Sequence, residues 1–315
     1  MSEHHFNWHG RTDDEDGVAG FRWHQQVQHI TTKAIHLQPG VAILGYPSDL
    51  GVIANKGRDG ARFGPNAIRS ALAPLPIHNP LNLYDAGDID PPTSVASSQS
   101  DYAERAKTLL EQGHFVVGLG GGHDIALGSY QAVTRANLNT GKNVGIINFD
   151  AHFDLRKPSR GASSGTPFYQ AYQACEDTDD TFHYFCLGAS KAANTKALFD
   201  MAEITGTRYL LDTEFSFHNA RALLAAELIK LDVLYVTVCL DSFSADRAPG
   251  VSAPSALGID VNETIRVLKW LHQYCVDNKV AWQLLDIAEM NPDYDIDQRT
   301  AKLAARLIFE VVNCL

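Results

Sequence analysis

The chain has 315 residues, 45% of them hydrophobic and 20% charged, an ordinary balance for a folded protein with a large core. Its 26 Lys and Arg against 37 Asp and Glu leave a formal net charge of −11, which argues against a nucleic-acid or anionic-membrane partner because no basic stripe offsets it. No stretch approaches the ~18 unbroken apolar residues of a membrane span, and the polar, acidic opening MSEHHFNWHGRTDDEDG is neither a signal nor a transit peptide.

Taken in chain order, residues 1–30 read as an N-terminal arm, the first 20 either disordered or packed on a neighbour, and residues 31–315 as a single domain. VAILGY (41–46) is predicted as a buried strand, and GPNAIRSAL (64–72) as a helix with Pro65 in its tolerant first turn. DIDPPTSVASSQSD (88–101) is predicted as a loop, followed by a helix over 101–113 with Ser100 as N-cap and Gly113 as its stop. FVVGLG (115–120), VGIINF (144–149), HYFCLG (183–188), VLYVTVCL (233–240) and AWQLLDI (281–287) are further strands, with a long loop over 155–167. A helix over 260–278 opens on Asp260 with Glu263 three residues on, a capping-box pattern. IDQRTAKLAARLIFEVVNCL closes the chain as another helix. Strands apolar on both faces and alternating with helices imply an α/β fold: a three-layer α/β/α arrangement around a mainly parallel sheet. Five cysteines, at 175, 186, 239, 275 and 314, form no CxxC pair and are odd in number, which fits reduced thiols in a cytoplasmic protein.

Ligand sites of open α/β sheets lie beyond the carboxyl ends of the strands. Several predicted strands carry unusual residues there. GLGGGHD ends in His123 and Asp124, NFDAHFD in Asp150, His152 and Asp154, VCLD in Cys239 and Asp241, and LLDIAE in Glu289. Each alone has an ordinary explanation, such as a helix cap or a packing imidazole. Gathered at one desolvated edge, however, the carboxylates destabilise one another unless they are protonated or bridged by a cation. Two imidazoles with several carboxylates suit Mn2+ or Fe2+, and so many donors suit two adjacent ions better than one. Such a pair lowers the pKa of a water held between them and so supplies hydroxide near neutral pH.

These residues carry a resemblance. GGGH, DAHFD, CLDSFSADRAPGVSAP and EMNP, with GYPSDLGVIANKGRDGARFGPNAIR (45–69), resemble the ureohydrolase family of arginases, agmatinases and formimidoylglutamases, from about residue 41 to the end. WHGRTD, and DAHFDLR paired with SSGTPF (163–168), are similar to the formimidoylglutamase branch. The resemblance implies an arginase-like fold, a catalytic domain over 31–315, and two Mn2+ ions per subunit. It implies His123, Asp150, His152, Asp154, Cys239 and Asp241 as the metal positions. Asp154 is also implied as the acid that moves the proton, and Glu289 as the carboxylate that holds a cationic amidine. Arg156, Ser163, Ser164 and, less directly, Arg58 are implied as substrate-binding residues. The implied reaction is hydrolysis of N-formimidoyl-L-glutamate to L-glutamate and formamide, a step of histidine breakdown. The implied setting is a cytoplasmic homo-oligomer, a trimer or hexamer, with a small-molecule substrate and neither nucleic acid nor membrane as partner.

The chain departs from the family's pattern at two places. Cys239 stands on the first Asp of the family's DxD, and two readings stay open for it: a thiolate beside the ions, or a buried neutral thiol that leaves one ion weakly held. SSGTP lacks a His found in arginases, so no imidazole relay is available there. Arg156 either grips a substrate carboxylate through its two-pronged guanidinium or is a solvated surface cation beside Lys157 and Arg160. Other functions therefore remain open: hydrolysis of another amidino or guanidino compound such as agmatine or a guanidino acid, or a catalytically weak member serving as a binding module.

Overall fold

Strands that are apolar on both faces require cover on both sides, and the computed structural model supplies it. It describes residues 5–30, 37–79, 81–91, 93–138 and 141–315. Among these, nine strands form one sheet: β1 (Gln28–His29), β2 (Val41–Tyr46), β3 (Leu83–Asp88), β4 (Phe115–Gly120), β5 (Val144–Phe149), β6 (His183–Ala189), β7 (Arg208–Leu211), β8 (Val233–Cys239) and β9 (Ala281–Ala288). Their order is β1-β3-β2-β4-β9-β8-β5-β6-β7, and every pairing is parallel. The helices are α1 (Trp23–Gln26), α2 (Leu50–Ala54), α3 (Gly64–Leu72), α4 (Val95–Glu111), α5 (Ile125–Ala136), α6 (Pro167–Thr178), α7 (Lys196–Ile204), α8 (Phe217–Leu228), α9 (Val261–Asn278) and α10 (Arg299–Val312).

Alternate strand residues feed two separate cores. Val41, Ile43, Leu285 and Ile287 pack with Leu72, Leu224, Leu268 and Ile308 of α3, α8, α9 and α10. Ala42, Leu44, Tyr235 and Leu284 pack with Tyr102, Ile125, Phe168 and Leu198 of α4, α5, α6 and α7. This is the expected three-layer α/β/α architecture. The order also brings the carboxyl ends of β4, β9, β8 and β5 side by side at the middle of the sheet.

Several expectations need correction. The segment over 1–30 does not stand off as an arm where it is described: Trp23 is 1% exposed in the core, and β1 joins the edge of the sheet. The Trp8 indole donates to Asp85 Oδ2 at 2.8 Å. β3 went unpredicted because its run, LYDAGD, carries two acids. Buried Arg69 accounts for them, with ion pairs of 2.9 Å to Asp85 and 2.6 Å to Asp88. β7 is too short to show a pattern. α4 starts at Val95, capped by the Ser94 hydroxyl accepting from Ser97 N, so the loop predicted over 88–101 ends sooner and Ser100 is interior. At α9, Asp260 caps as expected by accepting from Glu263 N at 2.9 Å. Glu263 does not close the box; its carboxylate instead accepts from Phe217 N at 2.7 Å, tying α9 to α8.

Candidate metal centre

The turn after β4 is glycine-rich because the backbone of the β2 turn lies against it. Gly121 N donates to Tyr46 O and Gly122 N to Ser48 O, both at 2.9 Å, and a Cβ on Gly121 would lie 1.9 Å from Ser48 O. That contact delivers His123 to the sheet edge. Glu289 arrives from the neighbouring β9; its N–H donates to Gly121 O at 2.8 Å, and its Oε1 accepts from His123 N at 2.9 Å. Asp150, fully buried beyond β5, accepts from Asn148 Nδ2 at 3.0 Å and from His152 N at 2.7 Å. Asp154 and Glu289 both sit at positive φ, 47° and 68°. That conformation is uncommon for residues other than glycine, and outside this cluster the chain uses it at helix ends and turns such as Asp179 and Lys279.

Both imidazoles turn Nδ1 toward the carboxylates. His123 Nδ1 lies 3.0 Å from Asp150 and 2.9 Å from Asp154, and His152 Nδ1 lies 3.2 Å from Asp241 and 3.5 Å from Asp150. His123 Nε2 contacts the Thr237 hydroxyl at 3.0 Å, the partner that leaves Nδ1 available as a ligand atom. Two sets of donors result, His123–Asp150–Cys239 and Asp150–His152–Asp241, each with its ligand atoms within 4.8 Å of one another. They share Asp150, an arrangement compatible with two neighbouring cations. Asp241 Oδ1 is buried without a hydrogen-bond partner, an oxygen that a cation would satisfy. The donor set therefore fits divalent metal.

The electrostatics show the same need for positive charge. Burial disfavours the charged imidazole of His123, yet the Asp150 and Asp154 carboxylates hold its pKa well above the usual range. Burial likewise opposes His152, and Asp241 with Asp150 raises it. Burial and the charge of Asp150 push Asp154 up to about 6; burial and the charge of Asp241 push Glu289 up to about 8. Burial, with Asp150 and Asp241 beside it, drives the Cys239 thiol well up. A bound cation reverses the sign of the field at each of these groups.

The cleft above these groups holds about 120 Å3 and is lined by His123, His152, Asp154, Cys239, Asp241 and Glu289 with Asn55, Arg156, Ser164 and Ser252, while Asp150 lies beneath them, fully buried. Arg156 and Ser164 thus reach the site. Ser163 lines the adjoining depression, its hydroxyl accepting from Gly165 N at 3.3 Å. Arg58 lies outside the cleft, stacked 4.7 Å from the centre of the Tyr294 ring, in a hollow that shares His152 and Ser252 with it. Asp124 does not cap α5 with its side chain; it accepts from the Tyr46 hydroxyl at 2.5 Å. Thr237 and Asn148 escaped notice in the sequence. Each lies two residues before an acid or thiol of the cluster, so strand alternation carried the signal.

A parallel α/β sheet with imidazoles, carboxylates and a thiol collected at the carboxyl ends of its central strands defines a metal-binding α/β protein. A model of the arginase family matches residues 39–314, and the chain belongs to that family. It is 44% identical over 313 residues to a formimidoylglutamase of Hahella chejuensis, covering 98% of this chain and 94% of that one. It is 41% identical over 322 residues to one of Vibrio cholerae, again covering 98% and 94%. Among solved structures, a Trypanosoma cruzi formiminoglutamase with manganese superposes with a TM-score of 0.77 at 26% identity, covering 89% of this chain and 95% of that one. A Bacillus subtilis formimidoylglutamase shares the fold with a TM-score of 0.78 at 22% identity, covering 92% and 90%. Among the described residues no helix is long and apolar enough to cross a membrane.

Proposed function

We infer that the protein is a manganese-dependent formimidoylglutamase, hydrolysing N-formimidoyl-L-glutamate to L-glutamate and formamide in the cytoplasm, with two ions per subunit. The observation that carries this reading is the pair of donor sets sharing Asp150 at the base of a cleft whose wall includes Arg156. Near-full-length similarity to formimidoylglutamases supports the substrate.

His123, Asp150 and Cys239 would hold one ion, and Asp150, His152 and Asp241 the other; Asp154, also expected as a metal ligand, belongs to neither set but lies 2.9 Å from His123 Nδ1. When bound, divalent manganese supplies an activated water at neutral pH. The remaining work falls to the chain. Glu289, anchored through Oε1 to His123 N, presents its carboxylate to the cationic formimidoyl group. Asp154, held at positive φ over the cluster, accepts the proton of the attacking water and returns it to the departing nitrogen. Arg156 grips a substrate carboxylate bidentately, and Ser164 offers a hydroxyl beside it. Ser163 and Arg58 stand one layer further out, Ser163 shaping the loop and Arg58 contributing charge.

The test is formamide release from N-formimidoyl-L-glutamate by protein loaded with Mn2+. Brisk turnover of agmatine or arginine with none of this compound would refute the substrate. The burial of Cys239 favours one rival, a weakly loaded protein that binds without turnover; fewer than one tightly held ion per chain, with no hydrolysis, would establish that rival.

A further inference from the structure

Beside the cleft lies a depression of about 770 Å3 with an unusual charge pattern. Lys56, just beyond α2, and Arg156, Lys157 and Arg160, on the loop between β5 and α6, line it, and no carboxylate does. All are exposed, and among the described residues none of them forms an ion pair. The Lys157 ammonium lies 6.0 Å from the centre of the Tyr169 ring. Several cations elsewhere have acid partners, Arg62 with Asp49, Lys230 with Glu227 and Lys269 with Glu310, whereas here four without one line a single depression. Four cations without acid partners around one depression make a local patch of positive potential on a chain whose net charge is −11, and such a patch attracts anions.

The loop that carries them is held in place. Arg156 N donates to Gly165 O at 2.9 Å, Ser164 N to Gly51 O at 3.0 Å, and Gly161 N to Pro158 O at 3.0 Å. The depression shares Asn55, Arg156 and Leu198 with the metal cleft, so Arg156 stands on the boundary of the two.

We propose that this depression is an anion-capturing antechamber of the active site, where Lys56, Lys157 and Arg160 receive a ligand bearing two carboxylates and pass it to Arg156. The inference rests on the proposed function for its direction of traffic, and it assigns the capture step to residues outside the metal cleft. A single-sign entrance raises the encounter rate of an oppositely charged substrate by about 10-fold or more, and salt screens the effect.

The experiment compares the manganese-loaded wild-type enzyme with the Lys157→Gln/Arg160→Gln double variant. Two readouts are taken: kcat/KM for N-formimidoyl-L-glutamate against ionic strength, and calorimetric titration with glutarate and with uncharged glutaramide. The expected result is a wild-type kcat/KM that falls roughly tenfold from low to high salt and a variant that starts about fivefold lower with a flatter slope. Glutarate should bind the wild type more tightly than the variant, with glutaramide indifferent to the change. An unchanged kcat/KM, salt slope and glutarate affinity would overturn the antechamber while leaving the hydrolase reading intact. Glutarate binding that depends on Lys157 and Arg160 in a protein that does not hydrolyse the substrate would instead sink the hydrolase reading and keep the anion site.

Discussion

In the proposed function, Arg156 on the cleft wall would separate a dicarboxylate substrate from agmatine, which has no carboxylate to grip. Its Ala variant loses a charge-assisted bidentate contact of about 1.5–3 kcal/mol. The expected outcome is a roughly tenfold to hundredfold fall in kcat/KM for N-formimidoyl-L-glutamate, with any residual agmatine hydrolysis far less affected; steady-state kinetics on both compounds checks it. Cys239 is the second decisive residue. Its sulfur lies within one donor set, and its replacement by Asp would give Mn2+ a harder ligand. Chelator competition should show tighter manganese binding in Cys239→Asp and roughly tenfold or more weaker binding in Cys239→Ala; equal affinity in all forms would mean that the thiol is not a ligand. The cluster was legible in the sequence because acids and imidazoles at strand ends have few other reasons to be there. The position of Arg58 was not legible, since a glycine-rich turn says nothing about which hollow a long side chain occupies; it lies over the Tyr294 ring in a hollow beside the cleft.

At the scale of elements, strands apolar on both faces were read almost residue for residue, β2, β4 and β5 with their full bounds. β3 was hidden because its acids read as surface residues until Arg69 of the preceding helix α3 is seen folded back onto them. The start of α4 was misplaced because its cap, Ser94, lies among several serines of equal local merit. Ser94→Ala should cost about 1 kcal/mol, measurable as a lower denaturation midpoint, while Ser100→Ala should be near neutral. Between α9 and α10, burial raises the Glu310 pKa, but Lys269 and Arg306, each 2.6 Å away, more than offset it and leave it lowered. A carboxylate whose folded pKa is depressed contributes stability that is present above its unfolded pKa and disappears as pH falls through the folded one. Glu310→Gln should therefore be less stable than wild type at pH 7, by about 0.5–1 kcal/mol given its exposed partners. The difference should vanish in acid; chemical denaturation at both pH values checks this.

For the molecule as a whole, the sheet order is what converts scattered motifs into one site. β4, β9, β8 and β5 are far apart in sequence and adjacent in space, so the chain's topology supplies the convergence that no single motif contains. If folding and metal binding are coupled through this convergence, manganese at about 100 times its dissociation constant stabilises the fold by roughly 2.7 kcal/mol. Thermal melts should rise by a few degrees with Mn2+, return with EDTA, and show no rise in Asp150→Asn, the variant that removes the ligand common to both donor sets. The most direct measurement is anomalous diffraction from crystals grown with manganese. The expected result is two peaks, one among His123, Asp150 and Cys239 and one among Asp150, His152 and Asp241; a map with no anomalous signal between those side chains would contradict the account.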